Sequence, residues 1–340
     1  MPPAAPTVRS LARLLRLSRS TISAALRGGG RVAPATVQRV RHAAEKLGYR
    51  HNPLAATLMS ELRRSRGGTF RGVVATIELH EADRPGGHGP FHREMLRGAL
   101  EGATKLGFKL EQFVIGRHDL NLPRLDTILQ SRGIHGLLLM PTFHVPNFSG
   151  LSWDYFSAAY TDYNLIQPAL HSVCSDHYSS MLLTLERLHA LGYRRPGLFI
   201  EHDRNERLHR RHTAAFQAYH ENYLSPGSVP LMVTPELSRP AFEKWFRRCQ
   251  PDVVLSHFTV VLDWMEACGA RVPETHGFVC LNAVHKTRAC ATLDLQPQEI
   301  GSRGIELIVA QLHRNELGIP RSPTRMTIPA RWIDGPTVRR

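Results

Sequence analysis

Residues 7–26, TVRSLARLLRLSRSTISAAL, decide how the front of this chain folds. Val8, Leu11, Ala12 and Leu15 recur at the spacing of one helix face. After Leu17 a fresh start at Ser18 puts Ile22, Ala25 and Leu26 on one face of a second helix. Ser18 is placed to cap that helix. Two short amphipathic helices with a tight turn between them form a helix-turn-helix, a motif whose second helix reads a DNA major groove. Arg19, Ser20, Thr21 and Ser23 then stand on its outer side with Ser18 at its head. These short or basic side chains suit base edges and phosphates, and a core helix would not need them.

Charge points the same way. Residues 1–66 hold 13 Lys and Arg against only Glu45 and Glu61, a local excess of +11 within a whole-chain excess of +14. A concentrated positive field on a small helical module is what neutralising DNA phosphates requires, whereas an evenly basic surface would say little about partners. Apolar residues recur at helical spacing through this region, which argues against a solvated basic tail.

The order of residues continues from Thr21-Ile22-Ser23 to Val32, then to Thr36, Val37 and Val40 opening a third helix. Leu47-Gly48-Tyr49 and Asn52-Pro53 close that helix, and Leu54, Ala55 and Leu58 follow. This order resembles the DNA-binding head of LacI-family transcription regulators. The resemblance implies that the segment after Asn52-Pro53 is a hinge helix that folds on operator DNA. Asn52 and Ala55 would lie at the DNA, and Leu58 would wedge into the minor groove at the centre of the site. Prying apart a base step costs a few kcal/mol, which bending the duplex offsets through wider contact. Ala24 replaces a larger polar or basic residue of many members, and Arg16 replaces the small turn residue, so the operator sequence does not transfer. Gly28, Gly29 and Gly30 read as a loop between helices, because no Lys-Ser/Thr pair follows and no buried strand precedes.

The expected division is a head over residues 1–59, a linker over 60–71 and a core over 72–340. The linker, SELRRSRGGTFR, loses hydrophobic periodicity and is rich in Arg and Gly. Beyond it, short apolar runs alternate with amphipathic helices: strands over 73–79, 109–115, 136–140 and 157–160, with helices over 94–107 and 122–132. A second series begins near His171 with helices over 178–191 and 209–221, and strands over 196–201 and 230–233. It continues with helices over 241–249 and 261–268 and strands over 253–256 and 277–281. The fold class is therefore α/β: a small all-α head followed by two Rossmann-like lobes with parallel sheets. The lobes are expected over about 72–165 plus a C-terminal crossover, and over about 166–295. This matches the effector core of LacI-family regulators, which is similar to periplasmic sugar-binding proteins. The segments 186–196 and 269–273 resemble its landmarks.

Ligands of open α/β lobes bind beyond the strand C-termini, so the residues just after each strand are candidate contacts. The resemblance implies that Phe91 and His92 face the effector and that Asp162 accepts hydrogen bonds from it. Tyr163 would stack on a ring or sugar face. Either Arg211 or His212, ahead of Ala215-Phe216, would fill the place of an effector-gripping arginine. Asn282 stands where an aspartate is usual, exchanging a charged acceptor for a neutral donor and acceptor, which counts against a standard sugar ligand. Asp176 reads differently, as the cap of the helix at Tyr178.

Little else suggests chemistry. Cys174, Cys249, Cys268, Cys280 and Cys290 are scattered through apolar runs without C-x-x-C spacing, as buried free thiols of a reducing compartment would be. His209 and His212 sit three apart on one predicted helix, but Arg207, Arg210 and Arg211 beside them would repel a cation, so no metal is expected. No cofactor fingerprint or nucleophile motif follows a strand, and no enzyme activity is expected. MPPAAPTVRS lacks an apolar signal region and no segment is long enough to span a bilayer, so a cytoplasmic protein is expected. The resemblance further implies a homodimer on pseudo-palindromic double-stranded operator DNA, a repressor governed by a small-molecule effector such as a sugar. The rival readings are a small-molecule sensor without gene control, which has no use for residues 7–59, and an enzyme on a doubly wound fold.

Overall fold

A computed structural model describes residues 8–26, 32–47, 71–81, 89–223 and 231–340. Asn52, Ala55, Leu58, the hinge segment, Gly28–Gly30 and all of the linker except Arg71 lie outside the described residues.

Three helices build the head: α1 (Val8–Leu15), α2 (Arg19–Leu26) and α3 (Pro34–Lys46). Leu11, Ile22, Ala25, Val40 and Ala44 close a small core between them. The Oγ of Ser18 accepts the Thr21 N–H at 3.0 Å, so the expected cap forms and fixes where α2 begins. Arg16 carries the turn with φ +52°, a left-handed conformation that costs a side-chain-bearing residue roughly 1 kcal/mol.

The remainder forms two doubly wound sheets. The first comprises β1 (Gly72–Leu79), β2 (Phe108–Ile115), β3 (Gly136–Leu139), β4 (Ser157–Tyr160), β5 (His171–Asp176) and β11 (Arg325–Pro329). Its order is β11-β5-β4-β3-β1-β2, parallel throughout. Side chains alternate across it as the two-residue period of a strand requires. Val74, Leu138 and Ala159 pack on one face against α4 (Pro90–Lys105) and α11 (Pro297–Arg314). Ala75, Leu137 and Ala158 pack on the other against α5 (Leu122–Arg132). The helices α4 and α11 meet backbone to backbone: a Cβ on Gly98 would fall 1.9 Å from the Gln298 carbonyl oxygen, and one on Gly301 would fall 2.0 Å from that of Met95.

The second sheet has the order β12-β10-β9-β8-β6-β7, with β12 (Arg331–Ile333) antiparallel to β10 (Ala291–Asp294) and the other pairs parallel. The strands β6 (Pro196–Glu201), β8 (Val253–Ser256) and β9 (Gly277–Cys280) are sandwiched, and β7 (Met232–Thr234) forms the edge. Leu198, Leu255 and Val279 face α6 (His177–Ala190) and α8 (Arg211–Tyr223). Phe199, Val254 and Phe278 face α9 (Arg239–Cys249) and α10 (Val260–Ala267).

The structure departs from the sequence reading at the lobe boundary and at several element ends, and it details the C-terminal crossover. The strand His171–Asp176 belongs to the first sheet, paired with β4 and β11, and the chain changes lobe only as α6 begins. A lobe boundary near 166 therefore falls one strand early, since strand periodicity reveals a strand but not its neighbours. The helix expected over 209–221 starts at Arg211, because His209 and Arg210 are left-handed (φ +52° and +56°) and separate it from a short helix α7 (His202–Arg207). The last third of the chain crosses back twice: α11 packs in the first lobe, β11 joins the first sheet and β12 the second.

Candidate functional site

In each lobe strand order reverses beside the first strand, between β1 and β3 and between β6 and β8, and these switch points face one cleft. The cleft encloses about 880 Å³, counting its open mouth. Its first-lobe wall consists of Phe91 and His92 from the start of α4, Pro141 and Phe143 after β3, and Thr161 and Asp162 after β4. The second lobe contributes Arg204 and Arg207 from α7, His257 after β8, and Asn282 and His285 after β9. Ser175, His177 and Leu295 enter from the segments where the chain crosses between lobes.

Of the residues expected here, Phe91, His92, Asp162 and Asn282 line the cleft. His92 is held by a 2.8 Å hydrogen bond between its Nε2 and the Pro141 carbonyl. Asn282 turns its Oδ1 back onto the Val284 N–H at 3.2 Å, which orders the turn below it. Asp162 accepts the Tyr163 N–H at 2.9 Å on Oδ1, and Arg207 donates to its Oδ2. That ion pair joins the lobes directly across the cleft. Both side chains are mostly buried, 17% exposed for Arg207 and 9% for Asp162, so the pair is far less screened than a surface bridge.

Tyr163, Arg211 and His212 do not line the cleft, and each has a different task. Tyr163 is buried and donates its hydroxyl to the Ser175 carbonyl at 2.5 Å. Burial pushes its phenol pKa up, which keeps this donor protonated. Its ring stacks on protein cations, with Arg211 4.2 Å and Arg325 4.9 Å from the ring centre. The arginines that reach the cleft are Arg204 and Arg207, the latter four residues before Arg211. The left-handed pair His209-Arg210 inserts a turn that a continuous helix would not have, which displaces the expected register. Sequence reasoning also passed over Arg204, His177, His257 and His285. The signal available was the density of His and Arg over 202–212, which the metal argument considered only for cations.

Three imidazoles pack edge to face, His177 and His257 in the cleft wall and His212 behind them: His177 to His212 at 4.8 Å and His212 to His257 at 5.1 Å between ring centres. Burial lowers the pKa of each. His212 falls to about 4. His177 and His257 lie well below the usual imidazole value, with His212 and nearby arginines adding to the effect of burial. Burial first, then Arg204 and Arg207, bring His285 to about 4. All four are neutral at pH 7. Among the described residues, the Nδ1 atoms of His177, His212 and His257 are buried without a hydrogen-bond partner. Among the described residues no three His, Cys, Asp or Glu side chains converge as a metal set. No helix there is long and apolar enough to cross a membrane.

Facing outward on the head, Ser18 and Ser20 are exposed while Thr21 and Ser23 are half-buried. The Ser18 hydroxyl also meets those of Ser20 and Thr21 at 2.7 Å, which tethers these groups before any partner arrives.

Residues 185–338 match the periplasmic binding protein-like domain family. The HTH-type transcriptional regulator CelR of Thermobifida fusca is 29% identical over 137 residues, a stretch that spans 40% of this chain and 37% of that protein. Among solved structures, a transcriptional regulator CelR–cellobiose complex superposes with a TM-score of 0.57 at 18% identity over 98% of this chain and 99% of that one. The lac repressor dimer bound to operator and the anti-inducer ONPF superposes at 0.58 with 14% identity over the same shares. The fold is shared with these solved structures: a small three-helix head ahead of two parallel-sheet lobes.

Proposed function

We propose that this protein is a LacI-type transcription regulator, acting as a repressor. Its head would bind a pseudo-palindromic operator as a homodimer, and a small polar metabolite such as a sugar derivative would enter the cleft between lobes. The ion pair between Asp162 and Arg207 carries this reading, because it spans two rigid lobes where a ligand must compete with it or bridge it. A ligand that favours one lobe angle over another shifts the operator affinity of the head, and linkage requires the operator to shift ligand affinity by the same factor. Ser18, Arg19, Ser20, Thr21 and Ser23 would meet the major groove, with Asn52, Ala55 and Leu58 at the minor groove. The relatives are transcription regulators, and the cleft supplies binding groups rather than a nucleophile with its base.

The test is a gel-shift titration of the full chain against fragments of its own genome with random duplex as competitor. Selective retention of a fragment, weakening steeply as salt rises, is expected. Equal affinity for every fragment would overturn the proposal.

A further inference from the structure

The polar inventory of the cleft is lopsided. Among the described residues its one lining carboxylate, Asp162, already serves Arg207 and the Tyr163 amide. Two carboxylates beside this wall are also engaged: Glu81 takes the amides of Phe143 and His144 at 2.8–2.9 Å, and Glu201 takes the Arg204 Nε at 2.9 Å. Arg204 and Arg207 lie three residues apart on α7, which puts both on one helix face, and both line the cavity. Among the described residues, Arg207 meets its acid through Nη1 and Arg204 its acid through Nε, which leaves each planar fork with further N–H donors. Among the described residues, the Nδ1 atoms of His177 and His257, also in the wall, are buried and unpartnered. Burial first, and then neighbouring groups that include Arg204 and Arg207, lower the pKa of these histidines and of His285.

We propose that the cleft takes an anion, a small hydroxylated metabolite whose carboxylate or phosphate oxygens lie against Arg204 and Arg207 while its hydroxyls meet His177 and His257. This rests on the reading of the cleft as the effector site and names the chemical class of that effector. A guanidinium fork matches the planar oxygens of either oxyanion, and charge-assisted bonds of this kind are about twice as strong as neutral ones. The ligand oxyanion also competes with Asp162 for Arg207. Binding would therefore trade the interlobe ion pair for a bond between α7 and the ligand, which makes lobe angle depend on occupancy.

Inorganic phosphate, titrated into the full chain at constant ionic strength, is the first probe, followed by heat of binding in calorimetry. Gluconate and glucose 6-phosphate then separate carboxylate from phosphate, with glucose as the neutral control. Saturable binding of at least one anion is expected, weakened about tenfold or more in Arg207→Gln, with Arg207→Lys between the two. Circular dichroism verifies that the variants fold, and Arg204→Gln provides an independent second removal of a fork. Absence of anion binding, equal binding in wild type and both Gln variants, or binding of glucose in preference to both anions would overturn the proposal. None of these outcomes touches operator binding, so selective gel shifts alongside them would leave the regulator reading intact.

Discussion

Acidification should weaken the core through His212, and the structure sets the size of the effect. Its imidazole is buried and neutral, with a pKa near 4 against 6.5 in an unfolded chain. Between those values the unfolded chain binds a proton that the native protein refuses, so stability falls as pH drops from about 7 toward 4. From pH 7 to pH 5 the linkage relation gives a loss of about 2 kcal/mol from this one group. His177 and His257 act in the same direction. His212→Gln removes the titration while keeping a polar side chain of similar size. Urea unfolding of the core at pH 7 and pH 5, followed by circular dichroism, separates the terms. The stability difference between wild type and variant should change by about 2 kcal/mol in favour of the variant at the lower pH. Parallel losses in both proteins would refute the assignment of a neutral buried imidazole to this position.

Three further outcomes test other parts of the molecule. Leu11→Ala empties the centre of the head core and should cost the head about 2–5 kcal/mol, abolishing operator retention in gel shifts while the core melts as before; retained DNA binding would refute it. Gly98→Ala drives a methyl group toward the Gln298 carbonyl and should destabilise the first lobe by about 1–3 kcal/mol through forced separation of α4 and α11. An unchanged melting temperature would show that these helices do not meet as described. Leu58→Ala should lower operator affinity without altering core melting, and equal affinity would remove the wedge role proposed from the resemblance.

Legibility in the sequence followed periodicity. The strands 157–160 and 196–201 and the helix 122–132 match the structure residue for residue, because each is a compact apolar run bounded by a turn or cap. Caps were legible as well: Asp176 accepts the Ser179 N–H at 3.0 Å, as its place before α6 suggested. Partnership was not legible. Nothing in His171–Asp176 says that it lies beside β4, because parallel pairing is decided by where the connecting segments can pack. The cleft divides the same way. Phe91, His92, Asp162 and Asn282 directly follow strands or open a helix, where position alone implies the crevice. Arg207 was missed because two left-handed residues, His209 and Arg210, reset the helical register, and neither is a glycine or asparagine that would have marked the turn.

How the cleft could reach the head follows from the order of the chain. The strand β1 is the first element after the linker, and α4, two elements away from the head, starts inside the cleft with Phe91 and His92 and continues along α11. At Gly98 and Gly301, α4 and α11 touch through backbone with no side chain between them, and close-packed contacts of this kind transmit displacement. Gln298 further ties the start of α11 to Glu94 at 2.5 Å, close to the cleft end of both helices. A change in lobe angle that breaks the bond between Asp162 and Arg207 must rotate about the crossovers at Asp176, Leu295 and Pro329, which flank these helices. The first lobe, with β1 on the linker side, would thus turn as one body, and the coupling between ligand and operator would be set by how differently the ligand binds the two lobe angles.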